Sequence, residues 1–227
     1  MAFLDRFLEM VYVNAIAYGR WQMFMDGLVI TLQITAGAAI LGVIIGLALT
    51  FFKMSGILPL ELFAKLYISV IRGTPVVLQL LIINATIFAT ARGMGVWVGI
   101  VAFGINSGAY VCEIVRAGIQ SIDKGQTEAG RSLGLSSRQT MSFIVLPQAV
   151  KNILPALANE SIILIKETSI VGFVAVADIT RVSQQISSRT FNVMPMFVAA
   201  VFYLVLVSIL TFFLSKLEKK LRESDVR

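Results

Sequence analysis

The sequence contains no histidine and a single cysteine, Cys112. The first absence removes the commonest metal ligand and the side chain that ordinarily titrates near neutrality. The second excludes an internal disulfide framework. Charge is scarce as well: 14% of the 227 residues are Asp, Glu, Lys or Arg, against about 25% in average soluble domains. No G-x-x-x-x-G-K-[ST] phosphate loop occurs, and "DKGQT" at 123–127 holds its Lys-Gly pair in the wrong order. The chain therefore does not cradle nucleotide phosphates in that way. The N-terminus "MAFLDRFLEM" carries Asp5 and Glu9 where a signal peptide has a basic region and then a clean apolar run, so no cleavable signal is expected. Without histidine, a nucleophile–base pairing or metal-ligand spacing, an enzyme is not expected either.

What the sequence has is apolar length. It is 57% hydrophobic with mean hydropathy +0.86. A membrane helix needs about 20 predominantly apolar residues. Gly27–Phe52 and Thr190–Ser215 contain no charge, and Gly73–Ala91 and Gly93–Cys112 are charge-free on either side of Arg92. The reading is an all-α membrane protein, a bundle of about five transmembrane helices. Its crossings are Gly27–Phe52, Pro59–Ala91, Gly93–Gln120, Leu146–Ala177 and Thr190–Ser215, with a tight external turn at Arg92. Phe3–Tyr18 is expected to form a short interfacial helix. The domains that follow are an N-terminal segment (1–20), a membrane domain (21–217) and a tail (218–227). Gly42/Gly46, Gly95/Gly99 and Gly104/Gly108 are small residues one helical turn apart, the pattern of closely packed membrane helices.

The net charge of +6 follows the membrane topology and forms no aromatic-interleaved stripe, so nucleic acid is not a partner. Five crossings put the termini on opposite sides. Lys53, Arg116, Lys124, Arg131, Arg138, Lys151 and the tail "KLEKKLRESDVR" then share one side, which the positive-inside rule makes cytoplasmic. The N-terminus, Arg92, Arg181 and Arg189 fall outside.

Residues 128–147, "EAGRSLGLSSRQTMSFIVLP", form a polar island within this chain. Thr127–Leu133 is helix-compatible, Gly134 offers the left-handed conformation that stops a helix, and Ser136-x-x-Gln139 is a capping-box pattern. A protrusion of two short helices at about 121–145 follows, with Leu133 and Leu135 on its apolar edge. It is either a docking surface or a solvated connector.

The spacing of Glu128-Ala129-Gly130, Gly134 and Ile144-Val145-Leu146-Pro147 resembles the EAA loop of permease subunits of ABC importers. Gly130 stands where the family has alanine, which is expected to loosen the first short helix. "VIRGTPVVLQL" (70–80), "SGAYVCEIVRAGIQSI" (107–122) and "LPQAVKNILPALANESIILIKETSIVGFVAVADI" (146–179) resemble the polar amino acid uptake branch. Ala117 replaces a frequent glycine, and the likeness covers most of the chain after residue 20. The resemblance implies a permease subunit of an amino acid importer in a prokaryotic inner membrane. It implies a second permease copy or sister subunit, two ABC ATPase subunits that use ATP and Mg, and an extracytoplasmic amino acid-binding protein. No cofactor is bound by this chain. Glu128, Ala129, Leu133, Gly134 and Leu135 become the contact to the ATPase.

Ionisable residues inside a span are functional candidates by default. Glu160 lies nine residues beyond Lys151, about 14 Å deeper along a helix, flanked by Asn159 and Ser161. Asn106 and Ser107 fall at comparable depth. Arg72, followed by Gly73-Thr74-Pro75, marks an interrupted helix. Glu160 with Asn106, and Arg72 with Gln79, supply acceptors and donors for a zwitterionic amino acid. The competing readings are an internal pair of Glu160 with Lys166 or Arg72, and an ion-coupled secondary transporter or channel that uses Glu160 and Lys166 as a relay.

Overall fold

Helix α1 (Arg20–Lys53) and helix α4 (Gly95–Gln120) form the centre of the molecule, and glycines set their separation. In this computed structural model, which describes Asp5 and residues 9–90 and 93–223, Gly42 faces Ser107 and Gly46 faces Val111. Reciprocally, Gly104 faces Leu41 and Gly108 faces Ile45. Each missing Cβ is filled by the opposing side chain, which is how membrane helices gain dispersion contact without a hydrophobic drive between them. The Thr50 hydroxyl extends the seam by donating to Gly46 O at 2.8 Å and Cys112 O at 3.4 Å. The paired residue numbers rise together, so α1 and α4 are parallel.

Two parallel neighbours require the chain between them to return. Helices α2 (Leu58–Arg72) and α3 (Val76–Thr86) do this as a pair bent by 106°. Ala64 and Ile68 of α2 pack with Leu49, Ala109 and Cys112. Leu80 and Ile83 of α3 pack with Val98 and Ala102. The pair therefore climbs from one end of α4 to the other and counts as one broken crossing. Among the described residues four helices are long and apolar enough to span a membrane, and this pair, taken as one span, makes a fifth. The break falls where Gly73-Thr74-Pro75 was expected to interrupt the helix.

Beyond α4 the chain forms the short helices α5 (Lys124–Ser132) and α6 (Ser137–Thr140), a π-helical turn at Met141–Val145, and α7 (Leu146–Glu167). Ala149 and Ile153 of α7 pack against Val115, whereas Leu164 lies in the cluster with Val98 and Phe103, so α7 runs antiparallel to α4. A 3-10 stretch, Thr168–Val174, leads to α8 (Ile179–Thr190), and α9 (Met194–Glu223) completes the bundle. Phe202 of α9 stacks on Phe24 of α1 with centroids 5.5 Å apart. Leu210 and Leu217 face α1 at Leu32 and Ile40 across an apolar groove. Helices α1 and α9 are thus parallel, and the start of α1 and the end of α9 lie at opposite ends of the bundle.

Three boundaries differ from the sequence reading. Helix α1 begins at Arg20, seven residues before the charge-free run, because the Arg20 guanidinium satisfies Val13 O at 2.7 Å rather than entering the apolar zone. The break before it is left-handed, at Tyr18 (φ 58) and Gly19 (φ 72). Residues 12–19 form π and 3-10 turns rather than a regular interfacial helix, and most of Phe3–Leu8 lies outside the described residues. Helix α9 continues through residue 217 to Glu223. The expected turn at Arg92 and the final residues of the tail also lie outside the described residues.

Gly27 packs directly against the backbone at the start of α8. A Cβ there would sit 2.9 Å from Ile179 N and 3.0 Å from Asp178 C, atoms that cannot rotate away. Gly27→Ala is expected to cost about 1–3 kcal/mol, the range for overpacking, seen as a lower thermal midpoint of the detergent-solubilised protein.

Candidate functional site

Asn106 and Ser107 occupy the middle of the 26-residue α4, and both are buried. Ser107 Oγ donates to Glu160 Oε1 of α7 at 3.1 Å, and Asn106 Nδ2 donates to Gln79 Oε1 of α3 at 3.0 Å. Two interhelical pairs, Gln79–Asn106 and Ser107–Glu160, therefore start from adjacent residues of α4 and make a polar seam through an apolar bundle. Glu160 is 8% exposed. The ion pairs among the described residues are Lys53–Glu113, Lys65–Glu61 and Arg116–Glu113, so Glu160 has no cationic partner there. Removing a carboxylate from water without a counter-charge is costly.

The other expected residues are placed differently. Arg72 does not pair with Gln79. It is exposed, with its guanidinium 5.2 Å from the centroid of the Tyr110 ring, because the bend turns the end of α2 away from the start of α3. Asn159 is exposed while Glu160 is buried, as the rotation of about 100° per residue dictates. Ser161 donates back to Leu157 O at 3.0 Å and lines the apolar groove against α9. Lys166 is six residues from Glu160, about 120° away around the helix, and lines a separate cavity of about 370 Å³ with Ser169, Thr180 and Tyr203. Neither the internal pairs of Glu160 with Lys166 or Arg72 nor a Glu160–Lys166 relay is formed.

The polar island folds as a helix, a glycine and a helix. Asp123 caps α5 by accepting from Gly125 N at 2.7 Å. At the other end Gly134 (φ 86) donates to Arg131 O at 3.0 Å and Leu135 N donates to Gly130 O at 3.2 Å, the two bonds of a Schellman stop. Ser136 and Gln139 form the reciprocal capping box at the start of α6. Glu128 and Ala129 are exposed, Leu133 is 81% exposed and Leu135 is half-buried. Gly130 does not act as a loosening point. It is buried, and a Cβ there would press on Ile144 and Thr140, so its absence lets α5 lie closer to the chain entering α7.

Two polar groups went unread in the sequence. Glu113 bridges Lys53 of α1 and Arg116 of α4, for which the i,i+3 spacing of Glu113 and Arg116 was the available signal. Asp178 is fully buried and caps α8 by accepting from Thr180 N and Arg181 N. The Tyr203 hydroxyl of α9 also donates to it at 3.1 Å. Burial pushes the Asp178 carboxyl above its ordinary value, while these bonds act in the opposite direction. A capping Asp at a helix start was its signal.

A multi-pass bundle with a polar seam inside it and a structured protrusion has the features of a membrane transport component. The chain belongs to the family described as binding-protein-dependent transport system inner membrane component, whose profile matches residues 38–223. It is 44% identical over 207 residues to the arginine transport system permease protein ArtQ of Bacillus subtilis (strain 168), covering 88% of this chain and 93% of that one. It is 37% identical to the glutamine transport system permease protein GlnP of Escherichia coli (strain K12), covering 88% and 93%. Among solved structures, a chain from the crystal structure of an amino acid ABC transporter with histidines superposes with TM-score 0.85 at 42% identity, covering 94% of this chain and 98% of that one. An inward-facing MetNI methionine ABC transporter shares the fold, with TM-score 0.78 at 20% identity. The protein is therefore a permease subunit of an ABC importer, a multi-pass protein of the bacterial inner membrane, and a transport component rather than an enzyme. Family membership gives it an ATPase and a binding protein as the kinds of partner it works with.

Proposed function

We propose that this permease carries polar amino acids past the Glu160–Ser107–Asn106 seam. The observation that carries the reading is the Glu160 carboxylate, buried at mid-bundle with one serine donor and no cation beside it. A carboxylate so placed gains most from a ligand that brings positive charge. The ammonium of any amino acid does so, and the guanidinium or second ammonium of a basic one does so more strongly. Relatives named for arginine and glutamine transport agree with a polar cargo. The exposed Arg72 supplies a cation for the cargo carboxylate at the mouth of the break.

The remaining roles follow from topology. Lys53, Arg116, the α5–α6 protrusion and Lys216 share the end of the bundle where α1, α4 and α9 finish, so that end is cytoplasmic by the positive-inside rule. The N-terminus is then outside and the C-terminus inside. Residues 21–217 make the membrane domain, flanked by the N-terminal segment 1–20 and the tail 218–227, and residues 121–145 make the coupling loop. Glu128, Ala129, Leu133, Gly134 and Leu135 dock on the ATPase, and the permease works beside a second copy or sister subunit. Asn159, exposed on α7, and Ser161 are second-rank contacts to cargo.

The test is uptake by cells or proteoliposomes holding the assembled transporter. Glu160→Gln removes the charge and keeps the shape, so uptake of L-arginine should fall at least about tenfold, one unit of charge-assisted contact. Wild-type arginine uptake in this variant would sink the assignment of Glu160 to the pathway.

A further inference from the structure

Gln79 was expected to touch cargo, yet its amide is fully engaged by the protein. Pro75 has no backbone N–H, so the carbonyl four residues earlier, Ile71 O, loses its helical donor. Gln79 Nε2 supplies that donor at 2.7 Å. The same NH₂ lies 3.2 Å from Thr74 O and 2.8 Å from Thr74 Oγ1. Backbone carbonyls only accept, so the group facing them has to be the NH₂. This fixes the amide orientation, and Gln79 Oε1 is the atom presented to α4.

The constraint passes on. Facing an acceptor, Asn106 has to offer its own NH₂, as the 3.0 Å bond from Nδ2 records. Asn106 Oδ1 is then the atom left over, and no group among the described residues donates to it. On the next residue Ser107 spends its hydroxyl proton on Glu160. Asn106 Oδ1 and the Glu160 carboxyl are therefore the oxygens that these bonds leave over.

We propose that Gln79 is a positioning residue which caps the carbonyl left open by Pro75 and thereby sets Asn106 as an acceptor, so that the seam selects the donor-bearing, cationic part of a cargo against an acceptor-only side chain. This rests on the reading that cargo passes Glu160 and Asn106. A sequence-remote proline decides the polarity of a binding residue through two amide orientations. Gln79 touches no cargo in this arrangement.

The experiment compares kcat/KM for uptake of L-arginine and L-glutamate by the complete transporter in proteoliposomes. The wild type should favour arginine. Gln79→Met fills the same space without hydrogen bonds and frees Asn106 to turn its NH₂ toward the cargo. The arginine-to-glutamate ratio should fall by about tenfold or more, since sites built on hydrogen bonds discriminate strongly through them. Gln79→Asn keeps an amide but is one methylene too short to join Ile71 to Asn106, and it should relax the ratio in the same direction if Gln79→Met assembles poorly. A purely structural role would lower uptake of both probes alike and leave the ratio unchanged; that result, or a wild type that favours glutamate, overturns the inference. Glu160→Gln and Asn106→Leu serve as the separate check. If both leave uptake of both probes at the wild-type level, the pathway reading itself fails. If they lower uptake while neither Gln79 variant moves the ratio, the inference about Gln79 alone fails.

Discussion

Glu128→Lys is expected to abolish ATP-driven uptake while leaving the permease inserted and folded. Glu128 is exposed on α5 and takes part in no ion pair among the described residues, so its replacement should cost the isolated chain within about 0.5 kcal/mol, as for most surface changes. At an interface the same change turns an attraction into a like-charge contact, which costs several kcal/mol. Leu133, at the C-terminal end of α5 and 81% exposed, adds an apolar anchor to the same protrusion, and apolar anchors of this kind hold interfaces together. Uptake should fall by about a hundredfold or more, and ATP hydrolysis by the assembled complex should lose its response to cargo and binding protein. The thermal midpoint of the purified permease should remain within a few degrees of wild type. Normal uptake by Glu128→Lys would remove the α5–α6 protrusion from the coupling surface.

The second large effect is expected at the opposite structural extreme, in the chain's own stability. Glu113 holds Lys53 and Arg116 together, with Arg116 Nη2 at 2.6 Å, and the three side chains are between 20% and 32% exposed. Glu113→Leu leaves two cations facing each other in a half-buried site. Removing one partner of such a pair costs about 3–5 kcal/mol when burial is complete, and partial exposure here lowers the expectation to about 2–3 kcal/mol. For a chain of this size that is a drop in thermal midpoint on the order of 5–10 °C. Replacing Lys53 by methionine in the same chain removes most of the repulsion and should recover at least half of the loss. Equal midpoints for Glu113→Leu and wild type would show that solvent and lipid headgroups screen the triad.

The two expectations separate what function asks of the chain from what folding asks. The α5–α6 protrusion is polar and exposed, and its geometry is stored in backbone caps: Asp123, the left-handed Gly134 and the Ser136–Gln139 box. These bonds are local, within six residues, which is why the sequence was enough to expect two short helices there. The glycine pairs of α1 and α4 were legible in the same way, since a period of four residues on one helix is a local property. Their partners were not. That Gly42 would meet Ser107 and Gly108 would meet Ile45 depends on two helices separated by a broken crossing being parallel neighbours.

The site was half legible. Glu160 and Asn106 could be singled out because an ionisable or amide side chain in a span is expensive to bury, and cost does not depend on knowing the neighbours. Pairing does depend on them, and it was there that Arg72 stood exposed, Asn159 turned outward and Ser107 bonded Glu160. Gln79 also shows what the sequence leaves unread: its amide bonds Ile71, Thr74 and Asn106.

By itself the sequence determined the membrane environment, about five crossings, the break at Gly73-Thr74-Pro75 and the shape of the α5–α6 protrusion. All of these follow from hydropathy, charge and backbone preference read along the chain. Only the tertiary structure decided which polar groups meet at mid-bundle, that α1 and α4 are parallel, and that Glu113 rather than Glu160 carries the ion pairs. Those outcomes turn on which helix faces are in contact, and a rotation of 100° per residue means that adjacent residues such as Asn159 and Glu160 can belong to different surfaces.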